Sequence, residues 1–200
     1  MLFTNASNLI RYSFAFTLVL FCTNIDAAEV SDRVLRLETT VNAPVNEVWK
    51  LWSDSAAAET FLAPKVNIEL KLGGPYEVIF NAADDRMTTK GCKLLSYAPG
   101  EMISFQWSLP GDMFPNFPKA ATWVVVTMHS IDSSHTRLII EQLGWGTGAE
   151  WDHAYTHMEN GWNMVIEQTH QRFQSGPIDW PKQFQMWKER ARQAHPESAP

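Results

Sequence analysis

Polar and apolar side chains alternate from Arg33 to Val41, with Val34, Arg36, Glu38 and Thr40 on one side and Leu35, Leu37, Thr39 and Val41 on the other. A period of two predicts a strand with one polar face. Asn42-Ala43-Pro44 breaks it and leads into a short helix from Val45 through Val48, Trp49 and Trp52. Ser53-Asp54 caps a second short helix carrying Ala56 to Phe61, which ends before Pro64. From Lys65 the period is two again. Val66, Ile68, Leu70 and Leu72 lead to a Gly73-Gly74-Pro75 turn, and Tyr76, Val78 and Phe80 complete a hairpin. After a turn cluster from Asn81 to Asp85, Arg86 to Tyr97 extends as a third member of this hairpin. Ala98-Pro99-Gly100 turns the chain into Met102 to Trp107, where Ile103, Phe105 and Trp107 form an apolar face. A last hairpin, Ala121 to His129 and Thr136 to Leu143, turns at Asp132-Ser133-Ser134.

The period changes for good at Ala149. Trp151, Ala154, Tyr155, Met158, Trp162, Val165, Ile166, Thr169 and Phe173 follow at steps of one, three or four, a stripe roughly 120° wide on a helix to Phe173. Thr147 with Glu150 suggests a capping box at its start, and Ser175-Gly176-Pro177 a glycine cap and stop. One strand, two short helices, about six consecutive antiparallel strands and one long closing helix give an α+β layout of the helix-grip kind. In it a curved antiparallel sheet wraps around the C-terminal helix, with the two short helices placed after the first strand.

Two hundred residues with 45% hydrophobic content suit one domain with a substantial core. A formal charge of -6 and no Lys/Arg run exclude nucleic acid and an anionic membrane surface as partners. The first 28 residues form a targeting segment, with Arg11 ahead of an apolar run from Tyr12 to Cys22 and small residues at Ala27 and Ala28. The run is too short for a membrane span. A cleaved secretory signal and an uncleaved amphipathic anchor are the two readings of it, and cleavage places the mature protein in the periplasm or outside the cell. Cys92 then remains alone and no internal disulfide can form. The expected division is a signal peptide over 1–28, a domain over 29–176 and an extension over 177–200.

Together these residues resemble a family, the START-like helix-grip superfamily (SRPBCC), in its branch of homologues of the heat-shock-protein-90 ATPase activator C-terminal domain. The resemblance rests on the opening helix "APVNEVWKLWSD", on "LGGPYEVIF", and on Gly91, Pro99 and Trp107 in "GCKLLSYAPGEMISFQW". It rests also on "TRLIIEQLGW" and on His157, Gly161 and Trp162 in "HMENGWNMVIEQ". It implies a cavity between the concave sheet and the long helix, of the kind that holds apolar or amphipathic molecules in relatives. It does not imply one activity. Gln142 stands where many relatives carry histidine, the loop Leu109 to Lys119 is unusually rich in proline and aromatics, and the tail from Ile178 lies outside the family domain.

The expected ligand contacts are Phe105, Trp107, Val126, Ile140, Gln142, Tyr155, Met158, Glu159 and Trp162. For each of them plain core packing is the competing reading. Gln142, Tyr155, Trp107 and Trp162 stand out because their polar ends need partners once buried. Glu159, at the edge of the stripe, is a weak candidate for a general base raised in pKa by partial burial. His153 and His157 have metal-ligand spacing but lie roughly 120° to 160° from the stripe centre, so they read as polar-face residues and no metal is expected. No nucleophile motif or phosphate loop is present, Cys92 reads as a packing residue, and no cofactor is expected. Met113, Phe114 and Phe117 make the loop Leu109 to Lys119 either a lid or a segment docked on its own domain. Trp180, Phe184 and Trp187 suggest a short further helix that docks on the domain or a partner.

The leading expectation is an exported, non-catalytic binder of a small apolar or amphipathic molecule. A cyclase- or hydrolase-like enzyme using the same cavity through Glu159 or Gln142 is the first alternative. A chaperone ATPase activator is the second, and export would keep it from a cytosolic chaperone. Oligomeric state is left open by the sequence.

Overall fold

The computed structural model describes residues 32–81 and 88–194. In chain order the elements are β1 (Leu35–Val41), α1 (Val45–Ser53), α2 (Ser55–Ala58), β2 (Lys65–Ile68), β3 (Tyr76–Ile79), β4 (Leu94–Ala98), β5 (Met102–Trp107), β6 (Thr122–Ser130), β7 (Thr136–Leu143), α3 (Ala149–Ser175) and α4 (Trp180–Ala194). The expected signal segment lies outside the described residues, as do Ala82 to Asp85 of the turn cluster and Arg86.

Five strands form one curved antiparallel sheet in the order β1-β7-β6-β5-β4, and β2 and β3 form a hairpin beside its β4 edge. The hairpin is tied to that edge by a bridge between Pro75 and Lys93 and by Gly73 N–H donating to the Leu94 carbonyl at 2.9 Å. Cross-strand register explains why alternation along each strand produces one continuous apolar face. Leu35 pairs with Gln142, Gln142 with Val124, Val124 with Phe105 and Phe105 with Leu94, so one row crosses the whole sheet. The next inward row contains Leu37, Ile140, Val126, Ile103 and Tyr97. A one-residue slip anywhere would turn both rows to solvent.

The helix α3 covers this face with Ala154, Met158, Trp162, Val165 and Thr169, all buried, while Trp151, Tyr155, Ile166 and Phe173 are half-buried at its margins. Each fully buried large apolar side chain contributes about 1.5–3 kcal/mol relative to exposure. The short helices close one end. Trp52 of α1 packs edge-on against Phe61 at 5.3 Å and stacks on Phe105 at 6.5 Å, and Phe105 stacks on Tyr76 at 3.7 Å. Asp54 caps α2 as expected, its carboxylate accepting the Ala57 N–H at 2.8 Å, but the helix ends at Ala58 and not at Phe61, because Thr60 and Phe61 N–H tighten into turns onto the Ala57 and Ala58 carbonyls.

Three further local expectations are corrected. The second strand stops at Ile68, because Lys71 N–H turns back to the Glu69 carbonyl at 2.7 Å, and Leu70 and Leu72 are exposed. The strand expected from Arg86 to Tyr97 is broken at Gly91, whose φ of +91° suits glycine and whose N–H donates to Glu77 Oε1 at 2.9 Å, so β4 begins only at Leu94. The capping box at Thr147 does not form: Gly148 precedes α3 without a side-chain cap, and Glu150 instead accepts a hydrogen bond from Asn116 Nδ2 at 3.3 Å. The far end is as expected, Gly176 having a φ of +90° and donating its N–H to the Arg172 carbonyl.

The tail packs back on the domain. Ile178 is buried and its N–H donates to the Thr60 carbonyl at 3.0 Å, while Trp180 Nε1 donates to the Glu59 carbonyl at 2.7 Å. From this anchor α4 stacks Trp180, Phe184 and Trp187 in a ladder with ring separations of 6.1 and 5.5 Å.

Candidate functional site

Besides the stripe on the sheet, α3 has a second inward-turned face made of His157, Gly161, Met164 and Gln168, at steps of four, three and four. These residues border a cavity of about 690 Å³, which Met158, Trp162 and Val165 reach from the neighbouring stripe. Trp107 at the end of β5, with Ser108 and Pro110 beyond it, forms another wall. Phe80 and Asn81 after β3, Thr88 and Thr89, and Leu62 after α2 line the sides, Phe184, Trp187 and Lys188 of α4 line it from the tail, and the cavity is open to solvent past the exposed Asn160 and Met164. The volume is within the range of small-molecule sites, and the walls are mostly aromatic and aliphatic.

Of the expected contacts, Trp107, Met158 and Trp162 border this cavity. Phe105, Val126, Ile140 and Gln142 do not; they are fully buried in the core, where the sheet and α3 meet. The Trp107 and Trp162 rings, 4.8 Å apart, occupy the place between sheet and helix where the opening was expected, and the cavity lies to their flank. Tyr155 is on the other flank, half-buried against Trp145 at 5.1 Å, with the Arg33 guanidinium over its ring and its hydroxyl donating to the Val34 carbonyl. Glu159 is exposed and does not border the cavity, so the partial burial expected of a general base there is absent.

The polar handles of Gln142 and Trp162 satisfy one another. Trp162 Nε1 donates to Gln142 Oε1 at 2.6 Å, Gln142 Nε2 donates to Thr122 Oγ1 at 2.8 Å, and Thr122 Oγ1 donates to the Trp107 carbonyl at 3.1 Å. Trp145 Nε1 adds a bond to the Gln142 carbonyl at 2.8 Å. This chain of bonds fixes the two tryptophans and leaves Gln142 with a structural role.

The loop between β5 and β6 is docked on its own domain. Phe114 is buried against the His153 and His157 rings at 5.2 and 5.6 Å, and Phe117 meets Trp151 edge-on at 4.4 Å, while Met113 stays exposed. His157 is therefore not a solvated polar-face residue but half-buried between this loop and the cavity. Burial holds its imidazole below the ordinary value, nearby His153 acts in the same direction, and Asp112 opposes both. Among the described residues no cluster of three or more His, Cys, Asp or Glu could hold a metal ion. Cys92 is buried, its thiol pushed up chiefly by that burial and in contact with Ser108 Oγ at 3.3 Å.

Sequence reasoning missed Gln168, Phe80 and Leu62 as wall residues. It singled out Phe184 and Trp187 as a docking helix, and Gly161 as a family position, without placing any of them at a site. Gly161 was the available signal: a glycine in mid-helix costs about 1 kcal/mol against alanine and needs a reason. A Cβ built there would meet nothing closer than Met158 Cε at 4.0 Å, so tight packing is not that reason.

The model of the family described as "Activator of Hsp90 ATPase homolog 1-like protein" matches residues 42–174, well over half of the chain. The chain belongs to this family. No curated protein sequence matches it. Among solved structures it is similar to protein MLL2253 from Mesorhizobium loti, with 19% identity, TM-score 0.56, and 73% of this chain and 100% of the other covered. It is similar also to Aha1 from Colwellia psychrerythraea, solved as a dimer, with 10% identity, TM-score 0.56, and 72% and 98% covered. A third is CalU16 from Micromonospora echinospora, with 17% identity, TM-score 0.53, and 80% and 84% covered. At such identities the likeness establishes the helix-grip fold. Membership in this Aha1-like family supports ligand binding or an Aha1-like role in general terms. No helix among the described residues is long and apolar enough to cross a membrane.

Proposed function

We propose that this member of the family is an exported, non-catalytic binding protein for a small apolar or amphipathic molecule, held in the cavity between α3, the end of β5 and α4. The observation that carries the reading is Gly161. The helix accepts a destabilising residue at a position where a side chain would meet no atom closer than 4.0 Å and would project toward the cavity. Keeping that space open has no stabilising effect of its own, and occupancy by a guest gives it a purpose. Filling it is the test. Gly161→Leu is expected to keep the fold and abolish the thermal shift that lipid or aromatic library members produce in the unaltered protein. Unchanged binding by the leucine variant would remove this site.

Export rests on the segment Met1 to Ala28. N-terminal sequencing of the protein recovered from a periplasmic fraction is expected to begin near Glu29. Recovery of the intact N-terminus from the cytosol would instead favour an Aha1-like partner role. The enzyme alternative rested on Glu159 or Gln142, and neither borders the cavity.

A further inference from the structure

Two buried glutamines lie against α3 in opposite circumstances. Gln142 is bonded at both ends of its amide by Trp162 and Thr122. Gln168 is 4% exposed, borders the cavity, and has no hydrogen-bond partner for its amide among the described residues. Its helix neighbours are committed elsewhere: Thr169 Oγ1 donates to the Val165 carbonyl at 2.8 Å, and Arg172 Nε donates to Thr60 Oγ1 at 2.8 Å. Trp52 Nε1 is the one fully buried side-chain polar atom without a partner among the described residues, so what Gln168 exposes includes its amide, and an unpaired amide that faces a cavity is available to whatever fills it.

We infer that Gln168 is the polar recognition group of this cavity, and that the bound molecule has an aromatic body bearing an uncharged carbonyl or hydroxyl group. The inference rests on the binding reading above and specifies its ligand. The body follows from the walls: Phe80, Trp107, Trp162, Phe184 and Trp187 present ring surface that stacks on flat molecules. The absence of charge follows from the partners on offer. Gln168 and the exposed Asn160 each have a donor and an acceptor but no charge, burial disfavours the charged form of the His157 imidazole, and the Lys188 ammonium belongs to an exposed residue. An anion drawn inside would give up its hydration without a buried counter-charge.

Three probes of one shape separate the possibilities: acetylnaphthalene, ethylnaphthalene and naphthoate, titrated into the full chain with tryptophan fluorescence as the readout. The unaltered protein is expected to bind the ketone roughly tenfold more tightly than the hydrocarbon, and naphthoate more weakly than the ketone. Gln168→Leu is expected to fold, because no hydrogen bond is lost, and to bind both uncharged probes alike. Gln168→Met, a second apolar replacement, is expected to do the same. Equal affinities in the unaltered protein, as a water already satisfying the amide would produce, overturn the inference. So does a preference that survives in both variants, or naphthoate binding tightest. If ethylnaphthalene still binds and Gly161→Leu blocks it, the cavity reading survives that failure; if no probe binds, both fall.

Discussion

Trp162 Nε1 donates a 2.6 Å hydrogen bond to Gln142 Oε1, joining the middle of α3 to the row of inward residues that runs from Leu35 through Gln142 and Val124 across the sheet. Both residues are buried, at 1% and 0% exposure, so each partner's removal leaves the other's polar group stranded. Gln142→Leu and Trp162→Phe are each expected to lose about 1–3 kcal/mol for the unmet bond, beyond any loss of packing. The double variant is expected to lose less than the sum by roughly 1 kcal/mol, since the orphaned groups leave together. Urea unfolding of the four proteins measures this coupling. Trp52→Phe is the control, because its buried Nε1–H has no partner among the described residues and its replacement breaks no bond.

Gly161 and Gly144 predict opposite outcomes for the same substitution. At Gly161 a Cβ has open space and helical backbone, so Gly161→Ala is expected to stabilise by about 0.8–1 kcal/mol. At Gly144 the φ is +87° and a Cβ would come within 2.5 Å of the Trp123 ring, so Gly144→Ala is expected to destabilise by more than about 1 kcal/mol. Thermal melts of the two variants give the signs directly. A loss of stability in Gly161→Ala would mean the cavity is not open there.

The architecture was legible because the sheet sets its core residues on one face, and among its described strand residues only Ser104 and Ile139 are buried on the other. Ile103, Phe105 and Trp107, then Val124, Val126 and Met128, alternate with residues outside the core, and the register sets Ile103 opposite Val126, Phe105 opposite Val124 and Trp107 opposite the buried Thr122. The site was not legible for the same physical reason. Periodicity identifies the residues that touch a packed surface, whereas His157, Gly161 and Gln168 border a void and read as the polar side of α3. The other walls come from Phe80, Leu62 and α4, which are remote in sequence and meet only through the tertiary fold. Leu70 and Leu72 show the limit of alternation itself: the Gly73 and Leu94 backbones pair at the β4 edge, and two leucines are left in solvent.

His157 sets a pH dependence. Its imidazole is held below the ordinary value of 6.5, first by burial, then by His153 beside it, with Asp112 opposing. Above 6.5 the folded and unfolded chains both hold it neutral, and its contribution does not vary. As the pH falls through 6.5 the unfolded chain takes the proton first, so stability is lost until the folded value has also been passed. Urea midpoints compared at about pH 8 and about pH 5 are expected to fall, and to fall less in His157→Gln. Bound aromatic ligand adds to the desolvation of the ring, with Lys188 lining the same cavity, so affinity is expected to decline over the same window. An identical acid response in both proteins would assign the effect to other groups.

The wall supplied by α4 lies beyond the family match, which ends at residue 174, so part of the cavity lining comes from residues past the matched domain. Phe184 and Trp187 are half-buried and stack on each other at 5.5 Å, whereas the anchor of the tail is upstream, in Ile178 and Trp180. Replacing both rings, Phe184→Ala with Trp187→Ala, therefore opens the cavity without detaching the segment. The expected stability loss is about 1–2 kcal/mol, below that of fully buried rings, because much of their surface is already wet. Ligand affinity is expected to fall at least roughly tenfold, since the lost walls remove stacking and admit water around the guest. Calorimetry for stability and fluorescence titration for affinity separate the two effects. A double variant that binds as tightly as the unaltered protein would show that α4 is only a bystander to the cavity.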